Sequence, residues 1–270
     1  VKVNLNAYEE LLGFQKKDIQ VPESIKRLLD NPKLSEDKKK KIILKFSNSS
    51  DVFPFVSFFL NSFLISGIAS LCSLVLAIFG AYSFSRVRYR GRGLVQRGVL
   101  MTYMFGGVLL MVPLYQIAVK SGLAETATGS IIVLITIYVV QTLPVSMYML
   151  GNYFRSIPES LEEAALIDGC SRIKSILLII IPLSLPMLFT IFIYAFMIAW
   201  NEYLFASVFL KGFNEYQTLP IALKTLFVSK NAIWDRIMAA SMLTAIPVII
   251  LFMSFEKNLI SGLTQGSVKE

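Results

Sequence analysis

Polar and apolar positions in this chain segregate into long blocks rather than alternating with the period of an amphipathic helix or strand. Five stretches, 52–85, 98–119, 126–154, 175–201 and 237–255, contain no Asp, Glu, Lys or Arg. A helix that crosses a bilayer needs about 20 predominantly apolar residues, so each block is long enough to span, the last with little tilt. A soluble helix of that length would carry a polar face, which none of the five shows. The pattern predicts an all-α polytopic membrane protein with five transmembrane helices.

The segments between the blocks set the orientation. Arg86, Arg88, Arg90, Arg92 and Arg97 follow the first block with no acid among them, which marks a cytoplasmic loop. The near-neutral 120–125 loop is then outside, 155–174 inside, 202–236 outside and the tail inside. This divides the chain into an extracytoplasmic segment 1–51, a transmembrane domain 52–256 with its cytoplasmic loop 155–174, and a cytoplasmic tail 257–270. Five spans with an external start predict a sixth helix preceding Val1. Within 1–51, Asn31-Pro32 marks a turn. Ser35 to Lys38 followed by Ile42, Ile43 and Phe46 predicts a short capped amphipathic helix.

Composition narrows the function. The net charge of +8 is scattered among apolar spans, so it reads as topology rather than a nucleic-acid footprint. The sequence has no histidine, which removes the commonest acid–base group and the commonest zinc ligand. Cys72 and Cys170 lie far apart and suggest neither a disulfide nor a metal site. Ion-coupled carriers keep ionisable groups inside the bilayer. Here the polar groups within the blocks are neutral: Asn61, Gln116, Gln141 and Thr142. Such a path suits a neutral polyhydroxylated solute better than an ion and disfavours a secondary transporter. Prolines at 113, 144, 182, 186 and 247 fit irregular helices around a path. The chain has no phosphate-binding glycine loop, so energy for uphill movement would come from an ATP-hydrolysing partner. Glu202, Asp235 and Arg236 could imitate a catalytic set, but they read better as interfacial charges capping helix ends.

The loop 155–174 is the most informative stretch. Ser156 and Glu159 have capping-box spacing, and Pro158 suits a first helical turn. Ile157, Leu161, Ala164, Ala165 and Asp168 follow helical spacing on one face, with Glu159 and Glu162 pointing elsewhere. Gly169 suits a left-handed C-terminal cap, and a second helix is predicted from Ser171 toward Pro182. The product is an acidic, alanine-faced knob on a basic surface, shaped to enter a groove on a partner subunit.

Glu163-Ala164-Ala165, Gly169 and Ile179-Ile180-Ile181-Pro182 reproduce the E-A-A-x3-G-x9-I-x-[L/hydrophobic]-P signature of permease subunits of binding-protein-dependent ABC importers, with Ile181 where leucine is usual. Arg86 to Arg92, Met111 to Tyr115, Ala199 to Tyr203 and Gly262 to Lys269 resemble the carbohydrate-uptake branch, in particular the second permease of maltose-type transporters. The resemblance covers nearly the whole chain. It implies a type I ABC importer permease (MetI-like) fold and a multi-pass inner-membrane location. It also implies an ATPase-coupling role for Glu163, Ala164, Ala165, Asp168, Gly169 and Pro182. The implied partners are a paralogous second permease, an ATP-binding cassette ATPase dimer, and an extracytoplasmic solute-binding protein touching the 212–236 loop. No cofactor is expected on this chain, with ATP and Mg at the partner ATPase. Asn201, Glu202 and Tyr203 are candidate lining for the translocation path. Tyr103, Phe105 and Tyr138 read as helix packing rather than sugar platforms.

Overall fold

A computed structural model describes residues 6–12, 54–104, 107–228 and 234–265. Among these, all regular structure is helical. The capped helix expected near Ser35 lies outside the described residues, as do Phe105 and the side chains of Asp235 and Arg236.

A short helix α1 (Asn6–Leu11) precedes α2 (Phe55–Ser85), the first block. The second block is divided. It comes as α3 (Arg92–Met104), a 3-10 turn (Gly107–Leu110) and α4 (Met111–Lys120). Pro113 sits in the first turn of α4, where its missing N–H costs nothing. The third block is α5 (Ala127–Ser156), capped by the Thr126 hydroxyl, which accepts the Gly129 N–H at 3.1 Å. The cytoplasmic knob is α6 (Glu159–Ile167).

The fourth block, expected as one span over 175–201, is bent. It runs through α7 (Arg172–Ser175), a π turn (Ile176–Ile180) and α8 (Ile181–Leu183), then turns by 83° into α9 (Leu185–Trp200). Two prolines explain the break. Pro182 cannot donate to the carbonyl four residues back, and a π turn lies directly upstream. Pro186 removes the next such bond, and Ser184 N–H turns back to the Ile180 and Ile181 carbonyls, both at 3.0 Å. Then come α10 (Leu204–Phe209), α11 (Leu219–Val228) and α12 (Trp234–Gln265), which contains the fifth block. Among the described residues three helices, α2, α5 and α12, are long and apolar enough to cross a membrane, and the bent pair makes a fourth crossing if taken as one.

Along α2 the contrast between the two faces is one of size. Through its middle α2 buries mostly small residues, Ser62, Ser66, Ala69, Ser70, Ser73, Ala77 and Ala81, with Phe55, Phe58, Ile65, Ile78, Tyr82 and Phe84 buried among and around them. Its exposed face is large and apolar, with Leu60, Leu64, Leu71, Val75 and Phe79. Lipid gives no hydrophobic reward for burying large side chains, so small residues are placed where backbones approach closely. The Thr142 hydroxyl of α5 donates to the Tyr138 carbonyl at 2.9 Å and lies 2.8 Å from the Ser73 hydroxyl of α2. At the other end of α9, Trp200 stacks on Phe196 at 5.5 Å and receives Phe59 edge-on at 5.5 Å.

The start of α5 tolerates no side chain at Gly129. A Cβ there would lie 2.2 Å from the Leu123 carbonyl oxygen and 2.8 Å from the Thr126 hydroxyl. Gly129→Val is expected to lose the cap, worth about 1 kcal/mol, and to add overpacking of about 1–3 kcal/mol. The check is the thermal midpoint of the detergent-solubilised protein, which falls if the contact is as tight as it looks and stays put if the loop yields.

Candidate functional site

The knob is built on two backbone features. Pro158 precedes α6, and Gly169 follows it at φ +86. Cys170 N–H bonds the Ala165 carbonyl at 2.9 Å and Gly169 N–H bonds the Leu166 carbonyl at 3.1 Å, the two bonds of a Schellman cap. The next helix starts where expected: Ser171 caps α7 by accepting the Lys174 N–H. The expected capping box is not made. Ser156 is still part of α5, and its hydroxyl donates to the Tyr153 carbonyl at 2.7 Å, leaving the N-terminus of α6 without a side-chain cap.

The faces of α6 also differ from the expectation. Its buried side carries Glu162 and Ala165, continuing from Ile157, while Leu161, Ala164 and Asp168 are exposed. Glu162 is drawn inward by charge. Its Oε1 lies 2.6 Å from Arg86 Nε, and its Oε2 accepts the Tyr82 hydroxyl at 2.9 Å. Arg86 uses its remaining nitrogens nearby: Nη2 donates to the Ile157 carbonyl in the link before α6 at 2.6 Å, and Nη1 meets Glu159 of α6 at 3.4 Å. Only 7% of the Arg86 side chain and 10% of the Glu162 side chain are exposed. Beneath them Ile78, Ala81 and Tyr82 of α2, Leu150 and Phe154 of α5, Ile157, Ile176, Ile180, and Leu188 and Ile191 of α9 beyond the elbow form one apolar cluster. Arg155 extends this fastening, reaching the Phe84 carbonyl and Gln96 at 3.4 and 3.3 Å.

Of the loop's four acids, Glu162 is thus buried against Arg86, and Glu159, its side chain 59% exposed, touches Arg86 from the outside. The outer surface of α6 carries Glu163, Ala164 and Asp168 beside Leu161 and Ile167, the last 85% exposed. Of the six residues assigned to coupling, Ala165 is buried, and Pro182 lies beyond the π turn at the elbow. Sequence reasoning missed Tyr82, Arg86 and Glu162 as a set. The available signal was the three-residue step from Glu162 to Ala165, which puts both on one side of the helix.

Asn201, Glu202 and Tyr203 lie at the opposite end of α9, about 24 Å from its start at 1.5 Å per residue. Glu202 is tied into structure. It accepts the N–H groups of Phe205 and Ala206 at 2.8 and 3.1 Å, opening α10, and takes the Tyr138 hydroxyl at 2.7 Å. This is the helix-capping role read from the sequence as the alternative to catalysis. Asn201 is exposed, its amide donating to the Met197 carbonyl at 2.9 Å. The Tyr203 hydroxyl accepts from Lys224 Nζ at 2.5 Å. Nearby, Asn61 of α2 donates to the Glu215 and Gln217 carbonyls at 2.9 and 3.2 Å, and Ser62 accepts the Leu219 N–H at 2.7 Å. Among the described residues no cluster of three or more acidic or cysteine side chains could hold a metal ion, and both cysteines are free thiols.

Comparison with known proteins fits this arrangement. Residues 52–265 match the family described as binding-protein-dependent transport system inner membrane component. The inner membrane ABC transporter permease protein YcjP of Escherichia coli K12 is 44% identical over 81% of this chain and 76% of its own length. The trehalose/maltose transport system permease protein MalG of Thermococcus litoralis is 36% identical over 82% of this chain and 78% of its own. A solved bacterial ABC transporter involved in import of the acidic polysaccharide alginate superposes with a TM-score of 0.65 and 27% identity, over 75% of this chain and 74% of that one. The chain belongs to the family of binding-protein-dependent inner-membrane transport components: it is a permease subunit of an ABC importer, not an enzyme, and ATP hydrolysis falls to a partner ATPase.

Proposed function

We propose that this permease carries a carbohydrate across the inner membrane together with a paralogous second permease, and that α6 is the helix through which a cytoplasmic ATPase drives it. The observation that carries the reading is the two-sided character of α6. One side is locked to its own chain by Glu162, and the other presents Leu161, Glu163, Ala164, Ile167 and Asp168 to the exterior. An exposed apolar and acidic face on a helix held this rigidly has a use in docking, whereas a mere connecting loop needs neither. Carbohydrate as the solute is supported by the chain's likeness to a trehalose/maltose permease and to an importer of the polysaccharide alginate. It is supported also by the neutral amides and hydroxyls within the spans. ATP and its Mg are bound by the ATPase dimer rather than by this chain.

The arginine loop 86–97, α6 and the end of α12 lie on the cytoplasmic side in this reading, which puts the start of the chain outside. Asn201, Glu202 and Tyr203 then border the outer vestibule. The 212–236 loop, whose first part is fastened by Asn61 and Ser62, faces the solute-binding protein.

The test is a pull-down of the tagged protein with its native partners, followed by an ATPase assay of the eluate. Wild type is expected to bring down a nucleotide-binding subunit. Glu163→Ala removes one exposed carboxylate; a charged hydrogen bond is worth about 1.5–3 kcal/mol, so recovery should fall about 10- to 100-fold in affinity terms. No ATPase in the wild-type eluate would overturn the docking role, and unchanged recovery from the variant would remove Glu163 from it.

A further inference from the structure

We propose that the exposed arginines between α2 and α3 form a binding site for an anionic phospholipid of the adjacent leaflet. Arg88, Arg90, Arg92 and Arg97 hold its phosphate, and an acyl chain lies on Leu94 and Met101. The inference needs the membrane location of the chain, and neither the identity of the solute nor the docking role of α6.

Five arginines stand within residues 86–97, which join two blocks free of charged residues, so the segment lies at the bilayer surface. Arg86 is spent inside the protein, on Glu162, Glu159 and the Ile157 carbonyl. The other four are not. Arg88, Arg90 and Arg97 are exposed and Arg92 is half-buried, and among the described residues none of them makes a hydrogen bond or an ion pair. No Asp or Glu occurs from Arg86 to Ala124 to neutralise them along the chain. The bias that orients a membrane protein is met by lysine as well as arginine. Every cation in this segment is nevertheless arginine, whose planar fork matches phosphate oxygens bidentately.

The helix that follows has two faces. Gln96 and Val99, three residues apart, turn inward: Gln96 accepts from Arg155 at 3.3 Å, and Val99 packs on Ala77, Phe84 and Met147. Leu94, Arg97 and Met101, at three- and four-residue steps, share the opposite side, with Leu94 75% and Met101 64% exposed. Helical side chains lean toward the N-terminus, which for α3 is the membrane surface. Arg97 therefore raises its guanidinium to headgroup level while its stem lies along the apolar row. The first turn of α3 carries no acid, so the helix dipole adds positive potential at the same place. A phosphate with an acyl chain matches both halves of this surface. An acidic protein surface would use the arginines and leave Leu94 and Met101 unmatched, and an apolar helix would cover those two but strand the guanidinium groups.

The experiment uses the complete transporter, purified with its native partners, in nanodiscs that mix phosphatidylcholine with phosphatidylglycerol. A photo-crosslinking benzoylphenylalanine replaces Leu94, and the adducts formed on illumination are identified by mass spectrometry. Phosphatidylglycerol is expected among the adducts several-fold above its share of the disc lipid. An arginine near a membrane surface is worth about five-fold in affinity for anionic lipid. Arg92→Gln with Arg97→Gln should therefore return the adducts to the composition of the disc. This variant keeps Arg86, Arg88 and Arg90, so the charge that orients the chain is retained. Adducts to the ATPase or to the second permease in place of lipid would overturn the proposal. So would lipid adducts in wild type that simply mirror the disc, or an enrichment that survives the double substitution. The wild-type measurement decides by itself should the variant fail to insert.

Discussion

Arg86→Ala is expected to destabilise the protein by about 3–5 kcal/mol, the cost of leaving a buried charge without its partner. The Glu162 side chain is only 10% exposed, and Tyr82 alone would remain to satisfy it. The lower end of the range is the better expectation, because the site lies at the end of α2 and water can enter once the guanidinium is gone. The same arginine's contact with Glu159 should matter far less, since that carboxylate is 59% exposed and surface pairs contribute about 0–1 kcal/mol. Glu159→Gln is thus expected to be nearly silent. The informative variant is Arg86→Met combined with Glu162→Leu, which replaces the pair by apolar groups and should be more stable than Arg86→Ala alone. Thermal stability in detergent, arranged as a double-mutant cycle, reads the coupling directly. Near-additive losses would mean that Arg86 and Glu162 act independently, against the short contact seen here.

The contrast between the two glutamates shows which parts of this protein could be read from its sequence. The α2, α5 and α12 crossings were legible because lipid demands long charge-free helices and that demand is written one residue at a time. The left-handed Gly169 and the cap at Ser171 were legible for a similar reason: both are local, set by the backbone within one turn. The two breaks were harder. Prolines at 182 and 186 signalled irregularity, but whether two prolines bend a helix slightly or turn it by 83° depends on the helices packed around it. The burial of Glu162 was harder still, because its partners Tyr82 and Arg86 are 80 and 76 residues away in the chain. Arg86 looked like a topology signal and is also a structural clamp. Nothing in a charge count separates those roles; only tertiary contact does. The capping box failed through the same kind of competition, with Ser156 bonding back into α5 instead of forward into α6.

At Gly169 substitutions should rank by how well each residue tolerates φ +86. A Cβ at this position meets no atom within 4 Å, so no steric contact with the rest of the protein enters, only backbone strain. Alanine in the left-handed region costs about 1–2 kcal/mol. Asparagine, which visits that region more readily, should cost less. Proline is a different case. It fixes φ near −65°, and it lacks the N–H that bonds the Leu166 carbonyl, so the Schellman cap cannot form at all and a loss of about 3 kcal/mol or more is expected. The buried contacts of Ile157, Glu162 and Ala165 should still hold the first part of α6 against α2 and α5. Damage from proline would fall on the turn that aims α7, and with it the path from α6 to the elbow. ATPase recovered with the tagged protein, and transport per ATP hydrolysed, should therefore decline in the order Gly, Asn, Ala, Pro. The separation between alanine and proline should exceed that between glycine and alanine. A proline variant that couples as well as wild type would show that the left-handed turn is dispensable, and the direction in which α7 leaves the knob would then have to be set by the Ser171 cap and the packing of Ile176 and Ile180 instead.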